Sequence, residues 1–255
     1  MGAWIREANV IPTQPIRLVA HRGWSRRFPE NSLAALSAAY AAGAHEVEYD
    51  VRLSKDGVPV LCHDPSVDRV SSLTGPCGAH DWNELAQADI VGPDGERYEG
   101  MGFAALGQVL DLLGGKIGMN VHVKEAEAVP HVIRLFRDRG LGADDYYIAG
   151  GVDVLVAARE LEPEIPRCCL AQSNDPDRLL EHAVNHACSR VQFRWNHYDA
   201  SYVQRAVELG FLPNLYYADD PHGAERALDA GIVALLTNDI GPIRLHLERA
   251  GRTLA

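Results

Sequence analysis

Eight short apolar runs, each followed by an Ala- and Leu-rich stretch with helical spacing, constrain this chain more than any other feature. The candidate strands are Arg17–Ala20, Glu46–Val51, Ile117–Val123, Tyr146–Ala149, Arg167–Leu170, Arg190–Phe193, Pro213–Tyr217 and Ile232–Thr237. Helical patterns at Ser32–Ala42, Ala128–Arg139, Asp153–Leu161, Asp175–His186, Ala200–Leu209 and His222–Ala230 separate them. Strands that alternate with helices must run parallel, and eight such units predict an α/β fold that closes as a (β/α)₈ TIM barrel, with a doubly wound sheet as the alternative. Asn31 and Asn174 read as helix N-caps, and Gly43, Gly210 and Gly231 as C-terminal stops. No Pro- or Ser-rich linker divides the 255 residues, so one domain over 1–255 is expected. Residues 65–105, rich in Gly and Asp and without a strong period, read as an insertion after strand two, near the mouth of the site.

Strand two is followed by a hairpin. Asp56-Gly57 lies between two alternating runs, a strong two-residue turn signal. A turn centred there pairs Asp50 with His63 and makes Val58–Cys62 an antiparallel arm outside the barrel count. Alternation puts Glu48 and Asp50 on one face of strand two.

The composition excludes several classes of function. An apolar fraction of 47% can offset the entropy of ordering the chain, so a folded core is expected. A formal net charge of -11 with no basic cluster argues against nucleic acid as a partner. No apolar stretch is long enough for a membrane span, and none near residue 1 suits a signal peptide. Five cysteines without a CxxC pair argue against a disulfide framework, and a reduced, cytoplasmic protein is expected.

Four groups of residues carry chemistry. Strand one ends in His21-Arg22-Gly23, a titratable imidazole and a phosphate-competent guanidinium at a strand tip. Glu48 and Asp50 point the same way and repel each other unless a cation lies between them, which suits a hard divalent metal. His63-Asp64 returns along the hairpin beside those carboxylates, so two imidazoles near one acidic pair suggest general acid/base catalysis. Asn120, His122 and Lys124 share a face of strand three, and a lysine at a barrel mouth requires an anion. The first three groups also have a plain reading, as a loop start, a hydrated acidic pair or a packed imidazole.

Taken together, the series resembles the glycerophosphodiester phosphodiesterase family. The matching elements are His21-Arg22-Gly23, Pro29-Glu30-Asn31-Ser32, the Glu48-x-Asp50 pair, Ser54-Lys55-Asp56-Gly57 and His63-Asp64, in family order. The resemblance is strong over residues 17–75 and extends to about residue 242. It implies a distorted barrel with a small insertion. By the same resemblance, His21 and His63 are a general acid/base pair, Arg22 and Lys124 bind the substrate phosphate, and Glu48 and Asp50 are ligands of one divalent metal ion. The implied reaction on a small-molecule phosphodiester begins when a neighbouring substrate hydroxyl attacks phosphorus and expels the alcohol. Water then opens the cyclic phosphate to leave sn-glycerol 3-phosphate, a step of lipid and glycerol metabolism.

Two positions depart from the family pattern. His122 stands where the family has a third carboxylate ligand, moving metal preference from Mg²⁺ or Ca²⁺ towards Mn²⁺, Co²⁺ or Zn²⁺. Glu125 and Glu127 follow closely as substitutes, although alternation sends Glu125 to the opposite face. Tyr216 replaces a pocket-lining Trp and adds a hydroxyl to the substrate pocket. Thr237-Asn238-Asp239 reads as structural capping, and Gln192, Arg194 and His197 lie where substrate could be touched. The alternatives are a phosphodiesterase for a sugar phosphodiester, and a non-catalytic phosphate-ester-binding protein with a weakened metal site.

Overall fold

The computed structural model describes residues 15–170, 175–196 and 198–255. The expected cap at Asn174 and the expected substrate contact of His197 lie outside the described residues. The described residues form eleven strands: β1 (Arg17–His21), β2 (Glu46–Leu53), β3 (Pro59–Leu61), β4 (Ile90–Val91), β5 (Arg97–Tyr98), β6 (Gly118–Val123), β7 (Tyr146–Gly150), β8 (Arg167–Leu170), β9 (Arg190–Arg194), β10 (Leu212–Tyr216) and β11 (Ala234–Thr237). The helices are α1 (Leu33–Ala41), α2 (Trp82–Leu85), α3 (Leu106–Leu113), α4 (Val129–Arg137), α5 (Val152–Leu161), α6 (Pro176–Asn185), α7 (Ala200–Glu208), α8 (Pro221–Asp229) and α9 (Ile240–Arg249).

Eight parallel strands, in the order β1-β2-β6-β7-β8-β9-β10-β11, close into a TIM barrel, because β1 pairs with both β2 and β11. That closure excludes the doubly wound sheet. Odd and even positions divide the labour along each strand. Leu18, Val47, Tyr49, Val51, Val121, Val123, Val191 and Phe193 point outward and form the main core with the helices. His21, Glu48, Asp50, His122 and Gln192 point inward and line the barrel mouth. At the base, Glu46 is neutralised by Arg17 at 3.2 Å and Arg190 at 3.3 Å, and it accepts from the Tyr147 hydroxyl at 2.9 Å. Gly43, Gly210 and Gly231 all take positive φ as helix-terminating residues, as expected.

Strand β2 runs past the rim. Its first half pairs with β1, and Val51–Leu53 pair with the antiparallel β3 instead. The hairpin register differs by one residue from the expected one. Val51 faces Leu61, and the Asp50 carbonyl accepts from Cys62, not His63, at 3.0 Å. The cause is a three-residue loop in place of a two-residue one. Ser54 N–H bonds the Val58 carbonyl at 2.9 Å, and Gly57 (φ +79°) supplies the left-handed residue that closes it. His63 therefore follows the paired segment and bends towards the mouth, where it joins the cavity wall.

The segment that follows β3 carries α2 and the β4–β5 pair. It buries its own small cluster of Val60, Cys62, Val67, Val70, Cys77, Leu85, Ala88, Ile90 and Phe103. The Asn31 cap expectation fails for a specific reason. Ser32 caps α1, accepting from Ala35 N–H, while Asn31 adopts φ +56° and turns its amide inward.

Gly23 shows why the tripeptide after β1 needs glycine. Its φ is +77°, and a Cβ there would lie 2.5 Å from the Ala35 carbonyl carbon in α1. Gly23→Ala is expected to destabilise the fold by about 2 kcal/mol or more, read as a lower urea midpoint; an unchanged midpoint would refute this packing argument.

Candidate active site at the strand ends

The centre of the site is Asp50, 0% exposed in the barrel mouth. An isolated carboxylate there would be costly, and the surroundings offset it. Asn31 Nδ2 donates to Asp50 Oδ2 at 2.9 Å, while Asn31 Oδ1 accepts from Asp50 N–H at 3.0 Å. Arg22 Nε lies 3.3 Å from Oδ2. Oδ1 faces Lys124 Nζ at 2.7 Å and His122 Nδ1 at 3.1 Å. Burial alone would raise the Asp50 pKa. The His122 hydrogen bond and the Lys124 and Arg22 charges outweigh it and hold the carboxyl well below its usual range.

Sheet register explains this meeting. Asp50 on β2 lies beside His122 on β6, and Glu48 beside Asn120 one layer below. Glu48, Asp50 and His122 each offer one ligand atom, all within 4.8 Å of one another. Two carboxylates and an imidazole form a mixed oxygen and nitrogen donor set that suits a divalent cation. The Lys124 ammonium on Asp50 Oδ1 stands in for positive charge at the same place. Burial lowers the His122 pKa, but hydrogen bonds to Asp50 and Glu48 prevail and raise it, so the two carboxylates favour positive charge at this position. The residues therefore fit a bound cation. Glu125 is not part of this set: it accepts from Leu53 N–H at 2.8 Å and lies near Arg52, and Glu127 is exposed.

Two imidazoles flank the cluster, and each has its Nδ1 held. His21 Nδ1 lies 2.7 Å from Asn238 Oδ1. The amide orientation is set because Asn238 Nδ2 donates to Asp219 Oδ2 at 2.6 Å, so Oδ1 accepts and His21 Nδ1 must donate. His63 Nδ1 donates to Asp64 Oδ1 at 2.7 Å, and Asp64 Oδ2 accepts from Arg69 Nε at 2.6 Å. Both rings thus keep Nε2 for another partner. Desolvation lowers the His63 pKa, assisted by Lys124 and Arg22 and opposed by Asp50 and Asp64.

Arg69 also grips Glu30 through both terminal nitrogens at 2.8 and 2.9 Å, and Glu30 holds Arg22 Nη1 at 2.9 Å. One guanidinium therefore steadies the carboxylate behind His63 and the one behind Arg22. A cavity of about 150 Å³ brings together His21, Arg22, Glu48, Asp50, His63 and His122 with Gln192, Arg194 and Tyr216. Lys124 reaches the same cluster through Asp50. Tyr216 stands edge-on to the His21 ring at 5.1 Å between centroids.

Sequence reasoning read Asn238 as capping only and passed over Asn31, Arg69 and Asp219 as site residues. Their partners lie 19 to 217 residues away or across a loop, so no local spacing reveals them. Asn31 alone had a signal, its place in the Pro29-Glu30-Asn31-Ser32 segment.

The glycerophosphoryl diester phosphodiesterase family model matches residues 21–242. The chain belongs to this family. A glycerophosphodiester phosphodiesterase of Caldanaerobacter subterraneus is 36% identical over 108 residues, 42% of this chain and 44% of that protein. The match thus spans less than half of that relative's length. A Silicibacter pomeroyi DSS-3 protein bearing the family's name superposes with a TM-score of 0.85 at 21% identity, over 94% of this chain and 95% of its own. An Oleispira antarctica phosphodiesterase, solved in complex with the product sn-glycerol-3-phosphate, gives 0.84 at 24% identity, over 92% and 97%. At these identities the two structures support the TIM-barrel fold.

Arg69→Ala is expected to lower turnover by roughly 10- to 100-fold, with a melting profile close to wild type because Arg69 is half exposed. Turnover equal to wild type would show that Arg69 positions neither His63 nor Arg22.

Proposed function

We propose that the protein is a metal-dependent phosphodiesterase that hydrolyses glycerophosphodiesters to an alcohol and sn-glycerol 3-phosphate. The observation that carries this reading is the meeting of two oriented imidazoles, a three-donor cation site and two cations on one buried carboxylate. Family membership and a neighbour solved with sn-glycerol-3-phosphate support it.

Glu48, Asp50 and His122 would hold the divalent ion, and Arg22 and Lys124 would bind the substrate phosphate. When bound, such an ion would stabilise the negative charge that builds on the phosphoryl oxygens. His63, whose lowered pKa favours the neutral ring, takes the proton of the glycerol hydroxyl neighbouring the phosphate through Nε2. That oxygen forms a bond to phosphorus while the bond from phosphorus to the alcohol oxygen breaks. His21, in its acid form, gives its Nε2 proton to the departing oxygen. Water then adds to the cyclic phosphate with the proton transfers reversed, which returns both rings to their starting states. Asn238 and Asp64 hold the rings at Nδ1 throughout. Tyr216, packed on His21, lines the pocket for the organic part of the substrate.

His122 in place of a carboxylate favours Mn²⁺, Co²⁺ or Zn²⁺ over Mg²⁺ or Ca²⁺. Five free cysteines fit a reducing, cytoplasmic setting, and among the described residues no helix is long and apolar enough to cross a membrane.

The test is hydrolysis of glycerophosphocholine and glycerophosphoethanolamine after EDTA treatment, with single metals restored. Activity is expected to vanish with EDTA and to return with at least one divalent ion. His21→Ala and His63→Ala should each lose at least about 100-fold in kcat without loss of fold. Wild-type rates in either variant would remove that imidazole from the mechanism, and silence with every metal would favour a phosphate-ester-binding protein. His122→Glu should shift the metal profile towards Mg²⁺ or Ca²⁺, whereas an unchanged profile would exclude His122 as a ligand.

A further inference from the structure

The cavity has a second charged wall that the proposed reaction leaves unused. The ring order of strands puts β9 four places from β2 in either direction, so β9 lies across the mouth from Glu48 and Asp50. Its inward positions there are Gln192 and Arg194, both in the cavity wall. Arg194 faces Tyr216 in the β9–β10 register, and its charge acts on the Tyr216 hydroxyl. Arg22, Arg52, Arg69 and Arg190 all pair with carboxylates around the barrel mouth or interior. Arg194 pairs with none among the described residues. Gln192 Oε1 is buried without a hydrogen-bond partner among the described residues. A guanidinium and an unpartnered amide oxygen therefore face the same space, across from the phosphate cations.

A diester whose phosphorus lies by Asp50 sends one of its organic halves towards this wall. The glycerol half is uncharged, so a guanidinium there has nothing to pair with unless the alcohol half carries an anion. We propose that Arg194 is a specificity-determining residue that selects phosphodiesters whose alcohol half carries an anionic group, a carboxylate or a second phosphate. A planar guanidinium binds either anion in a bidentate manner, and Gln192 Oε1 is placed to accept from a hydroxyl or ammonium group on the same half. The Arg194 charge disfavours a quaternary ammonium in the same position. This inference rests on the phosphodiesterase reading above and adds the substrate class to it.

Two matched pairs of substrates test it. Glycerophosphoserine differs from glycerophosphoethanolamine by a carboxylate, and glycerophosphoinositol 4-phosphate differs from glycerophosphoinositol by a phosphate. The metal-loaded protein is expected to show a kcat/KM ratio of about tenfold or more in favour of the anionic member of at least one pair. The pair that shows it identifies the anion. In Arg194→Gln that ratio should fall to near one, and Arg194→Lys should restore part of it.

Ratios near one in both pairs for the wild type would overturn the proposal while leaving the phosphodiesterase reading intact. An equal loss on all four compounds in Arg194→Gln would overturn it too, by assigning Arg194 to the reacting phosphate or to the fold. Calorimetric binding of the same compounds to the His63→Ala protein, with and without Arg194→Gln, reads the selectivity when no compound is turned over. In that case the phosphodiesterase reading fails, and equal affinities within each pair overturn the Arg194 assignment as well.

Discussion

A single buried carboxylate organises this barrel mouth. Asp50 is fully enclosed and keeps its charge, which is possible only because Asn31 fixes one oxygen while Arg22, Lys124 and His122 surround it with positive charge. These residues come from three segments: the turn after β1, the loop before α1 and the C-terminal end of β6. The need to satisfy Asp50 thus ties together the pieces that the chemistry needs. Removing Arg22 or Lys124 would leave the enclosed carboxylate with less compensating charge.

Around that centre lies a ring of residues that hold the two imidazoles without touching the cation cluster. Asp219 sets Asn238, which sets His21; Arg69 sets Asp64, which sets His63. The two hydrogen-bonded series reach the cavity from opposite ends of the sequence, and both engage Nδ1 of their ring. The insertion after β3 has a clear physical role here. Its own small apolar cluster anchors the segment that carries Arg69, so this guanidinium can reach both Asp64 and Glu30.

Much of this was legible in the sequence because barrel strands write their function with period two. Glu48 and Asp50, or His122 and Lys124, share a face by alternation alone, and the apolar residues between them face the helices. The eight-strand count and the helix stops at Gly43, Gly210 and Gly231 followed from patterns within one element. What stayed hidden depended on contacts between elements. The hairpin register slipped by one because a three-residue loop and a two-residue loop share the same Asp-Gly signal. Asn31 looked like a cap because caps and inward-turned asparagines begin with the same residue in the same place. Asn238 and Arg69 lacked any local sign, since their partners are reached only after the barrel closes.

The central claim is that Asp50 makes this cluster a cation site. Calorimetric titration of Mn²⁺ into the EDTA-treated protein and into Asp50→Asn tests it without reference to turnover. One ion is expected to bind per chain in the wild type and none in Asp50→Asn, with the variant still folded by circular dichroism. Equal binding in the two proteins, or no binding in the wild type, would contradict it.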